Sequence, residues 1–163
     1  MNDVTLTGYE MAMASDAGRL RNISAIKDGR KSKIEGGEWQ EHIEGATGEV
    51  AAAKLMNVFW GGSVNTFKTG GDIDGTGWEV RTRSKHDYDL VVRDSDPDGR
   101  VMILVTGKSP NFKSSCFEND SHSVRIMNVV FRGNISVLKS TPLFWNVPCV
   151  DRAIHVFSTG RLH

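Results

Sequence analysis

The sequence predicts an α/β (α+β) domain in which helices flank a central mixed β-sheet. Two segments of helical periodicity come first, and a block of strand-like segments follows them. The segments DLVVR and VMILVTG are rich in β-branched residues, and VMILV is apolar on both faces, as a central strand is. This order of elements indicates one sheet with helices packed against it.

Length and composition are typical of a soluble globular protein with a single domain spanning residues 1–163. Hydrophobic residues make up 39% and charged residues 25%. No apolar run approaches the roughly 20 residues that span a bilayer, and MNDVTLTGYE lacks the features of an export signal. Cys116 and Cys149 form no CxxC pair. We therefore expect a cytoplasmic protein with no membrane partner.

Charge is distributed unevenly along a chain whose net charge is zero. Residues 37–100 carry 7 Lys and Arg against 12 Asp and Glu, whereas residues 101–163 carry 7 against 3. Zero net charge argues against a protein that coats nucleic acid by bulk attraction. An acidic segment beside a basic one fits either a metal site flanked by a phosphate-binding surface or scattered solvated charges.

Secondary structure follows from local signals. Thr7 and Glu10 form a capping-box pattern that opens a helix over about 7–24, and a glycine-rich mobile connection is expected over 28–37. In the core, 38–163, apolar spacing predicts a second helix over 38–57. Strands are expected over 64–68, 78–84, 124–131 and 153–157, with a loop over 107–123. The turn DSDPDG predicts that DLVVR and VMILVTG form a hairpin.

The segment GGDIDGTGWEVRTRS concentrates charged side chains in one short stretch. A two-residue turn at Gly75 and Thr76 would pair Asp74 with Gly77, Ile73 with Trp78 and Asp72 with Glu79. Directly opposed residues have Cβ atoms about 4.5–5.5 Å apart. Two carboxylates at that separation repel each other, and a divalent cation such as Mg²⁺ or Mn²⁺ would compensate. Strand alternation puts Arg81 on the same face as Glu79, where it could also neutralise the pair. The alternative is a polar turn followed by a solvated sheet face with weak salt bridges.

An acidic residue before a strand that carries Glu-x-basic resembles the core of the PD-(D/E)XK, or restriction-endonuclease-like, nucleases. The stretch from WQEHIEGATGEV to VMILVTG, about residues 38–107, is also similar to small, mostly uncharacterised phage proteins of this type. The resemblance implies a Mg²⁺- or Mn²⁺-dependent DNA nuclease, cytoplasmic in a bacterial host, without a small-molecule cofactor. It implies metal binding by Asp72, Glu79 and the Val80 carbonyl, with Glu49 ligating a second ion or orienting water.

Arg81 stands where the family has lysine. Arginine binds a phosphate bidentately but accepts no proton near neutrality. The resemblance therefore implies either an active nuclease in which Arg81 braces the phosphate, or a DNA-binding protein that keeps the fold with weak or no cleavage. Arg83 and Lys85 are expected to follow the DNA backbone, or only to keep an edge strand soluble. A structural or partner-binding phage protein, and a homodimer, also stay open.

Two other sequence patterns give weaker indications of a metal site. DSDPDGRV matches an EF-hand loop at several positions, but Val105 stands where the bidentate glutamate belongs, so a polar turn is the better interpretation. The five histidines show neither HxH nor HxxxH spacing, which leaves a zinc site without support.

Overall fold

A computed structural model describes residues 2–30, 37–64, 70–83, 90–93, 95–107, 125–139, 145–147 and 150–154. These residues form a mixed α/β arrangement, as the sequence predicts. None of the helices among them has the length and apolar character needed to cross a membrane. The elements in chain order are β1 (Asn2–Leu6), α1 (Gly8–Lys27), α2 (Glu38–Leu55), β2 (Trp78–Arg83), β3 (Leu90–Val92), β4 (Val101–Gly107), β5 (Arg125–Asn134), α3 (Ile135–Lys139), β6 (Trp145–Val147) and β7 (Val150–Ile154).

Helix α1 begins at the predicted capping box. The Thr7 hydroxyl accepts a hydrogen bond from the Glu10 amide at 3.3 Å, and the Glu10 carboxylate accepts one from the Thr7 amide at 2.7 Å. These bonds satisfy two amide groups that a helix start leaves without intrahelical partners. Lys54 of α2 adds an ion pair to Glu10 at 2.8 Å and so ties the start of α1 to the end of α2.

The two long helices pack closely because α1 carries a glycine at the contact. A Cβ atom at Gly18 would lie 2.6 Å from the Ile43 Cα of α2, closer than side chains approach a backbone. Helix α2 in turn packs on strand β2 through Gly48, where a Cβ would lie 1.9 Å from the Thr82 hydroxyl oxygen. Small residues therefore hold α2 between α1 and the sheet.

The main sheet has the strand order β1-β5-β4-β2. Strands β2 and β4 are parallel, with Glu79 beside Met102 and Val80 beside Ile103, and the other two pairings are antiparallel. Val80 and Ile103 belong to the apolar core that the two long helices cover. Met102 lies on the opposite face, in a second apolar cluster with β3 and α3. Glu79 therefore lies on the face away from the long helices.

Strand β4 is a buried central strand, as predicted, but the predicted hairpin between DLVVR and VMILVTG is wrong. Strand β3 pairs with β7 in a second sheet of order β3-β7-β6. The physical reason is that both edges of β4 are occupied, one by β2 and the other by β5.

Several other expectations can be compared with the described residues. Helix α1 runs three residues past the predicted 7–24, and α2 ends two residues before the predicted 38–57. The predicted strands over 78–84 and 124–131 correspond to β2 and β5, and that over 153–157 overlaps β7 at its first two residues. The predicted strand over 64–68 and loop over 107–123 lie almost wholly outside the described residues, as does most of the connection over 28–37.

Candidate functional site

Asp72 is fixed along the edge of strand β2 that faces away from β4. Its amide donates to the Trp78 carbonyl at 2.7 Å, and its Oδ2 accepts from the Val80 amide at 2.7 Å. Gly71 permits this approach because it has φ +81°, and a Cβ there would lie 2.6 Å from the Trp78 carbonyl oxygen. The amide and carbonyl of one strand residue point to the same edge, so the Val80 carbonyl faces the Asp72 edge as well.

The turn before β2 differs from the predicted one. Ile73 and Trp78 do pair, but the tight turn is centred on Asp74 and Gly75 rather than on Gly75 and Thr76. The Ile73 carbonyl accepts from the Thr76 amide at 3.2 Å, and Gly75 has φ +71°, as the third residue of a type II turn requires. The Thr76 hydroxyl accepts from the Trp78 amide at 3.1 Å and donates to the Ile73 carbonyl at 2.8 Å, which explains the shift.

Because the turn is shifted, one of the three predicted cross-strand residue pairs is formed. The expected strand pairing of Asp74 with Gly77 and of Asp72 with Glu79 is not formed; Ile73 with Trp78 is the pairing recorded in this hairpin. Asp72 and Glu79 nevertheless line the same cavity, because the Asp72 carboxylate accepts a hydrogen bond from the Val80 amide of β2.

Glu79 is almost fully buried, with 6% of its surface exposed, and arginines contact both of its oxygens. Arg100 donates from Nη1 to Oε1, and Arg81 Nη1 lies 3.9 Å from Oε2. Burial and the charge of Asp72 raise the pKa of Glu79, against the opposing effect of the two arginines. The carboxylate is therefore held between two arginines in a site where burial disfavours its charged form.

Arg81 is held between two carboxylates. Its Nη2 donates to Asp96 Oδ1 at 2.9 Å, while its Nη1 faces Glu79. Asp96 is 7% exposed and is fixed in turn by the Arg93 amide, which donates to Oδ2 at 2.8 Å. The turn DSDPDG thus supplies an acidic residue that orients the Arg81 guanidinium toward the cavity.

Glu49 lies on the other face of β2, where α2 packs, and pairs with Arg21 of α1. Both Arg21 terminal nitrogens donate to the two Glu49 oxygens, at 2.5 and 2.7 Å, and the Trp60 indole donates to Oε2 at 3.0 Å. Burial and the nearby charge of Asp72 raise the pKa of Glu49, whereas Arg21 and Trp60 oppose the rise. The Arg21 Nε and Nη2 also donate to the Ser63 carbonyl. Glu49 therefore positions Arg21.

One cavity of about 650 Å³ joins these groups. Its described lining includes five arginines and one histidine but three carboxylates, so cations outnumber anions around it. Burial lowers the pKa of His42, and the charges of Arg21 and Arg30 add to this effect while that of Glu41 opposes it, so the neutral form is favoured. The charged lining residues are Arg21, Arg30, Arg81, Arg93, Arg100, Asp72, Glu79 and Asp96. Such a cavity suits an anion.

The structure brings together three of the predicted site residues, Asp72, Glu79 and Arg81, around the cavity. Glu49 is not among the residues that line the cavity, but it binds Arg21, which is. The Val80 side chain points into the core while its amide faces Asp72. Arg83 ends β2, and Lys85 lies outside the described residues.

The cavity residues that were not predicted include Arg21, Asp96 and Arg100, which contact the predicted acids or Arg81. Of these, Asp96 and Arg100 belong to the DSDPDGR segment, which the sequence marks only as a polar turn. The partners of Arg21 and Arg100 lie 28 and 21 residues away along the chain, so local spacing gives no signal for them.

The donors at the β2 edge suit a hard divalent cation in part. Asp72 and Glu79 give the cavity two carboxylates, and Mg²⁺ takes few protein ligands beside water and phosphate. A cluster of three or more His, Cys, Asp or Glu side chains able to hold a metal does not occur within the described ranges. Comparison with protein-family models, curated proteins and solved structures found no match.

Proposed function

We propose that this chain is a divalent-metal-dependent nuclease that hydrolyses DNA phosphodiester bonds on a restriction-endonuclease-like core. The observation that carries the proposal is that Asp72, Glu79 and Arg81 line one cavity at the edge of β2. A mixed sheet with α2 packed on one face is compatible with such a core. The arginine-rich lining adds the positive charge that a phosphodiester requires.

In this proposal Asp72, Glu79 and the Val80 carbonyl hold one Mg²⁺ or Mn²⁺ ion. When bound, the ion would lower the pKa of a water ligand and polarise a phosphoryl oxygen. Asp72 is already positioned for this role, because the Val80 amide fixes one of its oxygens at 2.7 Å. Burial of Glu79 keeps the second carboxylate out of bulk water, which strengthens its attraction for a cation.

The arginines bind the phosphate and stabilise the negative charge that develops on it. Asp96 orients Arg81 by a 2.9 Å ion pair, so the guanidinium needs little reorganisation to donate to a phosphate oxygen. Glu49 orients Arg21 in the same way from the other face of β2. Glu49 as a metal ligand stays a prediction, since Arg21 and Trp60 already contact its oxygens.

A second candidate function is DNA binding with weak or no cleavage. Two observations favour it. Arginine at position 81 accepts no proton near neutrality, and an arginine already contacts each of Glu49, Glu79 and Asp96. A site in which arginines neutralise the acids binds phosphate well even if it activates water poorly.

Incubation of the purified protein with plasmid and linear DNA distinguishes the two. The nuclease predicts cutting with Mg²⁺ or Mn²⁺ that EDTA abolishes, and the binder predicts a salt-sensitive gel shift without cutting. Arg81→Ala should weaken DNA binding in both cases, whereas Arg19→Ala, an exposed arginine of α1 with 56% of its side chain accessible, should not. If the protein shows neither cutting nor a gel shift, both functions are rejected.

A further inference from the structure

Arg100 occupies the Glu79 oxygen that a metal ion would need. Its Nη1 donates to Glu79 Oε1, and its side chain is 15% exposed. Its backbone is anchored on both sides, since its amide donates to the Pro97 carbonyl at 3.2 Å and its carbonyl accepts from the Ile135 amide at 3.0 Å. Any movement of Arg100 would therefore take place in the side chain.

A guanidinium and a divalent cation compete for the same carboxylate oxygen, because both are attracted by its lone pairs and repel each other. Arg81 contacts Glu79 less closely than Arg100, which donates directly to Oε1. It lies 3.9 Å from Glu79 but 2.9 Å from Asp96, so the Asp96 pair would hold it in place when Glu79 binds a cation. Arg100 is thus the arginine that a cation on Glu79 has to displace.

The cavity offers Arg100 a new partner once it leaves Glu79. It lines the same cavity as Arg21, Arg81 and Asp72, the groups that would surround a phosphate beside the metal. A guanidinium binds a phosphate bidentately. A phosphate that also contacts the cation would therefore replace Glu79 as the negatively charged partner of Arg100.

We propose that Arg100 is an exchangeable ligand: it neutralises Glu79 in the metal-free protein and transfers to a DNA phosphate when a divalent cation binds Glu79. The inference rests on the proposed function. It has a thermodynamic consequence, since metal and phosphate then each increase the affinity of the other by the same factor. Phosphate binding is therefore weak without metal, and metal binding is weak without phosphate.

The test compares Arg100→Gln with Arg93→Gln. Arg93 lines the same cavity, and its removal deletes the same charge without deleting the Glu79 contact. Calorimetric titration with Mn²⁺ alone should show about tenfold tighter binding for Arg100→Gln than for Arg93→Gln, because a competing charge-assisted hydrogen bond is gone. A second titration uses a short phosphorothioate DNA duplex as a poorly cleavable probe. Mn²⁺ should tighten its binding to the wild type and to Arg93→Gln by a larger factor than its binding to Arg100→Gln, which keeps only the direct contact between cation and phosphate.

The outcomes separate the inference from the proposed function. If the wild type binds Mn²⁺ and Arg100→Gln binds it no tighter than Arg93→Gln, Arg100 does not compete with the metal and the inference is wrong while the function stands. If none of the three proteins binds Mn²⁺, the metal site and the inference both fail. Circular dichroism checks folding. If Arg100→Gln does not fold, Arg100→Lys takes its place, and its Mn²⁺ affinity should also rise, but by a smaller factor.

Discussion

Replacing Glu49 by alanine tests whether the pair with Arg21 holds the two long helices and the β2 edge together. The change leaves the Arg21 guanidinium, whose side chain is 18% exposed, without a carboxylate partner. It also leaves the buried Trp60 indole without the acceptor that lies 3.0 Å away in the wild type. Both groups lose hydrogen bonds in a place that water reaches poorly.

Removal of one partner from a buried ion pair costs about 3–5 kcal/mol. We expect a value near the lower end, about 3 kcal/mol, because two Arg21 nitrogens keep their hydrogen bonds to the Ser63 carbonyl. Against a typical folding free energy of about 5–15 kcal/mol, this loss is large but compatible with a folded chain.

Urea unfolding at neutral pH, followed by circular dichroism, measures the free energy of unfolding. The control is Asp16→Ala, which removes an exposed ion pair to Arg19 with 3.7 Å between charged atoms and should cost less than about 1 kcal/mol. The double variant Arg21→Met, Glu49→Leu should be more stable than Glu49→Ala, because it leaves no buried unpaired charge. A Glu49→Ala variant that unfolds within about 1 kcal/mol of the wild type contradicts the structural role of this pair.

Four further changes have expected outcomes in the same unfolding assay. Gly48→Ala should cost about 1–3 kcal/mol, since its Cβ would lie 1.9 Å from the Thr82 hydroxyl oxygen, and Thr82→Ala should recover part of the loss. Thr7→Ala should cost about 0.5–2 kcal/mol through the lost cap. Glu10 is partly buried, but its hydrogen bonds to Lys54 and Thr7 lower its pKa, so its stabilisation is present at neutral pH and lost as pH falls through that lowered pKa. Glu10→Gln should therefore lose less stability on acidification than the wild type does. Gly71→Ala should destabilise the protein and displace Asp72, because φ at Gly71 is +81° and the Trp78 carbonyl blocks the added Cβ. Unchanged stability in any of these variants would contradict the contact described for it.

Local signals predicted local structure. The Thr7 and Glu10 capping box opens α1, helical periodicity gave α2, and the apolar run VMILV gave a buried central strand. The strand β2 and its alternating faces also follow from the sequence, because Val80 reaches the core while Glu79 faces the other way. Each of these features depends on residues within a few positions of one another.

Partners that are distant in sequence could not be predicted in the same way. The turn DSDPDG was recognised, but a turn does not say that β3 pairs with β7, or that β2 and β5 already occupy both edges of β4. The Thr76 hydroxyl, which moves the turn by one residue, is a side-chain effect that glycine placement alone does not indicate. The arginines opposite Glu49 and Glu79 come from α1 and from the residue before β4, and only the fold brings them there.

The central claim is that Asp72 and Glu79 jointly bind a divalent cation. Its most direct test is calorimetric titration of Mn²⁺ into the wild type, Asp72→Asn and Glu79→Gln, with Asp16→Asn as a control at a carboxylate that is 75% exposed on α1. Loss of either predicted ligand should weaken Mn²⁺ binding by at least about tenfold, whereas the control should bind as the wild type does. Equal Mn²⁺ affinity in all four proteins, or no binding by the wild type, would contradict the claim.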